Sequence, residues 1–426
     1  MRGSLVHTLS SGFGGGFHPT QLPPDVLLYW SGDTIDSVRS ATDGTGAVTG
    51  ADDTSLAAYL ADLSTHGRPL IQATEANRPK ARAHAKGVGF SLDPIAGRKL
   101  QAASALTGGV SMYAAVSFVG ADATITTELP LPFVAAPQSL VTTAGAVDAA
   151  HSFLIGLADD SLWPDPGTSY VNGTATVHVG VQCVCREIEV HKASAATAGA
   201  LIALADGGGT YPPSSRIHEL VILSGTATSE EKALVRAYMR SKHRRRPTVA
   251  LSVDSLSAGY NVAHRQGISW RLWNDRWGGT INVANLGVVG QSLATAITGD
   301  PAKLDAVEGE GQNILVLCGG ANGIGGLTPA AIWADTQAYI TMATARGWRV
   351  IVCSIPSGQY WIDIGRDDEV AEYAALAEAN YQAAGAVAYV DLYSLSIGQQ
   401  GDGLHYTAAG CQTVADAYGA AVEALL

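Results

Sequence analysis

The chain has 426 residues, a formal net charge of −12, and 47% hydrophobic against 15% charged residues. It is too apolar to be disordered and longer than one core usually serves, so two domains are expected. The acidic balance argues against a nucleic-acid surface, which needs clustered cations, and no apolar run reaches the roughly 18 residues of a membrane-spanning helix.

The first 25 residues include Ser10-Ser11-Gly12-Phe13-Gly14-Gly15-Gly16-Phe17 and lack the charged start, apolar stretch and cleavage site of a secretory signal. Such a segment reads as a flexible tail, or as an anchor that orders against a partner. Residues 26–241 then show short alternating runs punctuated by Gly, Pro, Asp and Asn, the pattern of antiparallel strands in a β-sandwich. Residues 110–119, 174–181 and 217–223 are the clearest runs, and Asn172-Gly173 is a hairpin signal because a type I′ turn needs positive φ at both central positions.

This region closes with a helix. Thr228-Ser229-Glu230-Glu231 has the spacing of a capping box, and Leu234, Val235, Tyr238 and Met239 share one helical face. Lys242-His243-Arg244-Arg245-Arg246 and Pro247 are expected to end it as a solvated basic linker over 242–247. Cys318, Cys353 and Cys411 sit among apolar or small neighbours and read as buried thiols. Cys183 and Cys185 alternate along a strand-like run, so neither a zinc site nor a disulfide is expected.

From residue 248 to 426 the period changes. Apolar runs at 249–253, 281–284, 314–317, 350–353 and 387–390 alternate with helical stretches, one opened by Thr328-Pro329 and ended by Gly347, another over 367–384. Strands separated by helices predict an α/β, flavodoxin-like domain with a five-stranded parallel sheet covered on both faces. Ligands bind such sheets beyond the C-terminal strand ends.

The residues with chemical potential fall at those ends. Ser255, in Asp254-Ser255-Leu256-Ser257, follows the first strand; taken alone it reads first as a helix-capping serine. Asp402 and His405 lie three apart, close enough for one turn to bring carboxylate to imidazole, or simply for a surface loop before the helix that Thr407 opens. Asn285-Leu286-Gly287-Val288-Val289-Gly290 and Cys318-Gly319-Gly320-Ala321-Asn322-Gly323 are Gly-rich turns that can present amide donors; no Gly-Lys-Ser supports a phosphate cradle instead.

Together these blocks resemble the SGNH, or GDSL-like, hydrolase family over residues 247–426. The resemblance implies Ser255 as nucleophile, His405 and Asp402 as its catalytic partners, and the Ser255 and Gly290 amides with the Asn322 side chain as oxyanion donors, with no cofactor. Two positions depart from the family pattern: Val253 stands where Gly usually precedes Asp-Ser, and Gly323 where Asp often follows Asn. The first region resembles a concanavalin A-like or LamG-type jelly roll, in Asn77-Arg78-Pro79, residues 87–92, the hairpin at Asn172-Gly173 and Glu219-Leu220-Val221-Ile222-Leu223. Trp163, Tyr170 and Tyr211 are loop-side aromatics suited to packing or to sugar stacking.

The expected domains are therefore a Gly-rich segment over 1–25, a carbohydrate-binding β-sandwich over 26–241, a basic linker over 242–247 and a hydrolase domain over 248–426. The expected function is a carbohydrate esterase cleaving acyl, chiefly acetyl, esters of a polysaccharide with a Ser-His-Asp triad. The alternative is a non-catalytic glycan- or receptor-binding spike of a phage-like particle, since the arrangement resembles virion proteins that reach the outside by lysis. Expected partners are a glycan, with neither nucleic acid nor membrane insertion. Homo-oligomerisation and particle attachment through the N-terminal segment stay open, as do a particle-surface and a cytoplasmic location.

Overall fold

The computed structural model describes residues 214–426 throughout and, before them, separate strand segments and a few single residues. The N-terminal segment, Asn172-Gly173, residues 174–181, Cys183, Trp163 and Tyr211 lie outside the described residues, as does the side chain of Tyr170. The strands before residue 225 form two antiparallel sheets. The first carries Val110–Gly120 and Ser214–Ser224 side by side, so two of the clearest sequence runs are central neighbours in one sheet. In the same sheet Gly167–Val171 pairs with Cys185–Lys192, Val171 lying opposite Ile188.

The helix Ser229–Met239 begins as its sequence dictates. The Thr228 hydroxyl accepts from the Glu231 amide at 3.2 Å while the Glu231 carboxylate accepts from the Thr228 amide at 2.7 Å, closing the capping box. Val235, Tyr238 and Met239 are buried against Tyr113, Ala115, Val221 and Leu223 of the sheet.

The basic run differs from the solvated linker expected of it. A wide turn, Arg240–Arg244, continues the helix, and His243 is buried. The cause is Glu219, a fully buried carboxylate on the strand Ser214–Ser224, which needs donors. It accepts from the Tyr238 hydroxyl at 2.5 Å, Lys242 Nζ at 2.9 Å and His243 Nε2 at 2.5 Å. Burial pushes the Glu219 carboxyl up, but the hydrogen bond from His243 and the neighbouring charge of Lys242 outweigh it and hold the group at about 2. Arg246 Nη2 donates to His243 Nδ1 at 3.0 Å, so the imidazole is neutral with its proton on Nε2, in keeping with the downward push of burial.

Beyond Pro247 five strands lie parallel: Thr248–Val253 (β1), Asn282–Asn285 (β2), Asn313–Cys318 (β3), Arg349–Cys353 (β4) and Ala388–Val390 (β5), in the order β2-β1-β3-β4-β5. Successive side chains of a strand point to opposite faces. Every residue of β1, β2 and β3 is buried, so both faces of the sheet are covered, as the uninterrupted apolar runs require. The helices Leu293–Val307, Pro329–Thr344 and Asp367–Asn380 pack in a row, and Ala408–Glu423 packs with the segment 268–276. One continuous core includes Trp273, Tyr339, Trp348, Tyr373, Tyr406 and Tyr418 among its largest buried side chains.

The helix expected over 367–384 ends at Asn380, and Gly385 at φ 95° turns the chain into β5. Cys318, Cys353 and Cys411 are buried free thiols, as is Cys185. Among the described residues no helix is long and apolar enough to cross a membrane.

Candidate active site

β1 ends at Val253, and its neighbour β3 ends level with it at Cys318. Past the end of β1 the backbone of Asp254 stays extended, then a single helical turn, Ser255–Ala258, begins. Asp254 directs its side chain inward and accepts from the Leu256 amide at 3.0 Å through Oδ1. The Ser257 hydroxyl donates to the Cys318 carbonyl at 3.1 Å, which ties this turn to the end of β3. Ser255 is thereby held at the rim of the sheet with only 7% of its surface exposed.

The chain after β2 passes directly beneath this turn. A Cβ on Gly287 would lie 2.5 Å from the Ala258 nitrogen, so only glycine lets the two segments cross. Val253, in place of the usual family glycine, is accommodated by a second close approach: its Cβ lies 3.0 Å from where a Cβ on Gly319 would be.

Ser255 and His405 meet although 150 residues separate them: His405 Nε2 lies 2.9 Å from Ser255 Oγ. On its other side His405 Nδ1 lies 2.7 Å from Asp402 Oδ2. Asp402 Oδ1 accepts the Leu404 and His405 amides, each at 3.0 Å, so one carboxylate both shapes the turn and faces the ring. Burial alone raises the Asp402 carboxyl, but the hydrogen bonds from the imidazole and the two amides overcome it and place the group below its ordinary range. With an ionised carboxylate at Nδ1, the proton belongs on Nδ1 and Nε2 accepts from the serine hydroxyl.

The ring is fixed from further sides. Tyr260 packs against it with centroids 4.7 Å apart and planes at 53°. Gln400 donates to the Tyr260 carbonyl at 2.9 Å and the Tyr406 carbonyl at 2.7 Å, while its amide donates to the His405 carbonyl at 2.7 Å. Neither Tyr260 nor Gln400 carries a motif, and the sequence reading missed both.

Gly290 and Asn322 are also brought together. The Gln291 amide donates to the Val288 carbonyl at 3.1 Å, closing a turn whose third residue, Gly290, has φ 80°, the positive value that a type II turn demands. Asn322, on the short helical turn after β3, donates through Nδ2 to the Gln291 carbonyl at 3.0 Å. That contact uses one of its two amide hydrogens and leaves the other as a donor.

Asp254 is the least expected feature. It is fully buried, and its Oδ2 has no hydrogen-bond partner. Burial raises the carboxyl from its ordinary 3.8 to about 7, with the amides of Leu256 and Ser257 pulling the other way.

Residues 254–413 match the model of the GDSL-like Lipase/Acylhydrolase family, which therefore spans Ser255, Asp402 and His405 together. The C-terminal region is a GDSL-like hydrolase domain. The match supports a serine hydrolase activity for that region. Among solved structures, TesA is 19% identical and similar over 42% of this chain and 100% of its own, with a TM-score of 0.35. The acetyl xylan esterase AlAXEase gives 17%, 41% and 99% with a TM-score of 0.35. Est24, a carbohydrate acetylesterase from Sinorhizobium meliloti, gives 16%, 42% and 100% with a TM-score of 0.36. Among curated proteins no match is found.

Proposed function

We propose that the GDSL-like domain is a carbohydrate esterase that removes acyl groups, chiefly acetyl, from a polysaccharide held by an N-terminal jelly-roll β-sandwich. The reading rests on one observation above the rest, the unbroken hydrogen-bonded series Ser255–His405–Asp402 at 2.9 and 2.7 Å. In the reaction His405 Nε2 takes the Ser255 hydroxyl proton as Oγ attacks the ester carbonyl carbon. The carbonyl oxygen becomes an oxyanion, held by the Ser255 and Gly290 amides and by the remaining Asn322 N–H. Collapse breaks the bond to the sugar oxygen, which leaves with the proton from His405. Water, deprotonated by the same imidazole, then attacks the acyl-serine, releases the carboxylic acid and restores Ser255. Asp402 keeps the ring in the right tautomer and stabilises the imidazolium formed in each half.

Ser255→Ala is the direct test, with hydrolysis of p-nitrophenyl acetate and deacetylation of an acetylated polysaccharide as readouts. Turnover falls to background while the melting profile stays that of the wild type. Unchanged turnover in the variant would overturn the assignment of Ser255, whereas no hydrolysis by the wild type would leave the domain as a glycan-binding module.

A further inference from the structure

We propose that Asp300 and Gln291 form a positioning device for the oxyanion donors, with Gln291 as the joint; this rests on the esterase reading above. The starting observation is a carboxylate where packing alone would favour a leucine. Asp300 lies inside the helix Leu293–Val307, fully buried, facing β1 and the helix Pro329–Thr344. A carboxylate buried there is costly to desolvate unless donors surround it.

Four donors do. Asp300 Oδ2 accepts from the Ser252 hydroxyl at 2.6 Å and the Tyr339 hydroxyl at 2.7 Å. Oδ1 accepts from Lys303 Nζ at 3.3 Å and from Gln291 Nε2 at 3.1 Å. Ser252 is a buried polar residue of β1, two places before Asp254, and Tyr339 comes from the next helix. The carboxylate is thus fixed by the body of the domain, and the Gln291 side chain reaches in to it from the loop.

Gln291 also touches both proposed donors. Its main chain is bonded to Gly290, so the peptide orientation around one directly constrains the other, and its carbonyl accepts from Asn322 Nδ2 at 3.0 Å. Gly290 needs such a brace because a Cβ there would meet nothing within 4 Å; no neighbouring atom packs against it from that side. Asp300 therefore fixes the Gln291 side chain, Gln291 fixes its own carbonyl and the adjoining turn, and these set the directions of the Gly290 amide and the Asn322 amide. Preorganised donors act only when aimed at the position that the oxyanion will occupy. Gln291 and Asp300 touch no substrate in this scheme and work through Gly290 and Asn322.

The test is a double-mutant cycle in the full chain on p-nitrophenyl acetate, using Gln291→Met, which keeps length but removes the amide, Asn322→Ala, and the two combined, beside Ser255→Ala. Gln291→Met is expected to lower kcat about tenfold with KM within about twofold, whereas removal of the Asn322 donor costs about 10²-fold or more. In the Asn322→Ala background the Gln291 substitution is expected to cost only about a further twofold, because much of what it positions has gone. A merely structural contribution would give the same fold loss in both backgrounds, and that result, or wild-type kcat in Gln291→Met, overturns the proposal. Thermal melts accompany each variant, and Gln291→Ala replaces Gln291→Met should the latter fail to fold. Persistent turnover in Ser255→Ala would instead remove the esterase reading itself, so the two failures are distinct.

Discussion

Asp254→Asn probes the buried carboxyl beside Ser255 without changing its shape. Wild-type Asp254 titrates at about 7 in the folded protein against an ordinary 3.8, because burial penalises the charged form more than the neighbouring amides favour it. A folded value above the unfolded one means that the folded state holds its proton more tightly. Stability is therefore unaffected by this group below about pH 3.8, declines as pH rises between the two values, and is fully diminished above about 7. At about 1.4 kcal/mol per pH unit the loss comes to about 4 kcal/mol, a large fraction of a typical domain's margin. Asparagine retains the Oδ1 acceptor for the Leu256 amide and stays neutral at every pH. Urea unfolding of both proteins, followed by tryptophan fluorescence from about pH 3.5 to 9, should give similar stabilities at the acid end, a variant more stable by about 1.6 kcal/mol at pH 5 and one more stable by about 4 kcal/mol at pH 9. Identical pH dependence in the two proteins would refute the argument, and would mean that Oδ2 finds a partner or water in solution.

Glu219 supplies the opposite sign. Its folded value of about 2 lies below the ordinary 4.5, so its contribution is present above about pH 4.5 and is lost as pH falls toward 2; Glu219→Gln should cost about 3 kcal/mol at pH 7 and much less near pH 2, measured by urea unfolding. Thr228→Ala removes the hydroxyl arm of the capping box, leaving the backbone amide at 228 to donate to Glu231, and should lower stability by about 1 kcal/mol, read from the same unfolding curves, with esterase turnover unchanged.

The parallel sheet was legible because its strands are buried on both faces and so read as unbroken apolar runs. The helix Leu293–Val307 was not, because Gly299-Asp300-Pro301 interrupts it with two residues that disfavour helix interiors and a charge that makes sense only once Ser252, Tyr339 and Gln291 surround it. The wide turn Arg271–Arg276 escaped for a related reason, since it keeps no regular apolar period. The candidate site was legible in pieces. Asp402 and His405 are local enough for spacing to suggest their contact, whereas the meeting of His405 with Ser255 depends on how β1 and the loop after β5 align, and only resemblance to a family anticipated it. The basic run was misread because His243 is buried by a carboxylate on a preceding strand, a long-range pairing that no local pattern announces.

Asn282, at the start of β2, accepts the Cys185 amide at 2.9 Å, and Arg246 donates to the Gly279 carbonyl, so acceptors of the hydrolase region are served by groups upstream of Pro247. Severing the polypeptide at that proline, the obvious place for a protein engineer to trim it, would orphan a buried side-chain oxygen and a main-chain carbonyl in one stroke. A catalytic fragment meant to stand alone therefore has to bring a substitute for those two donors, or carry the upstream strand along with it.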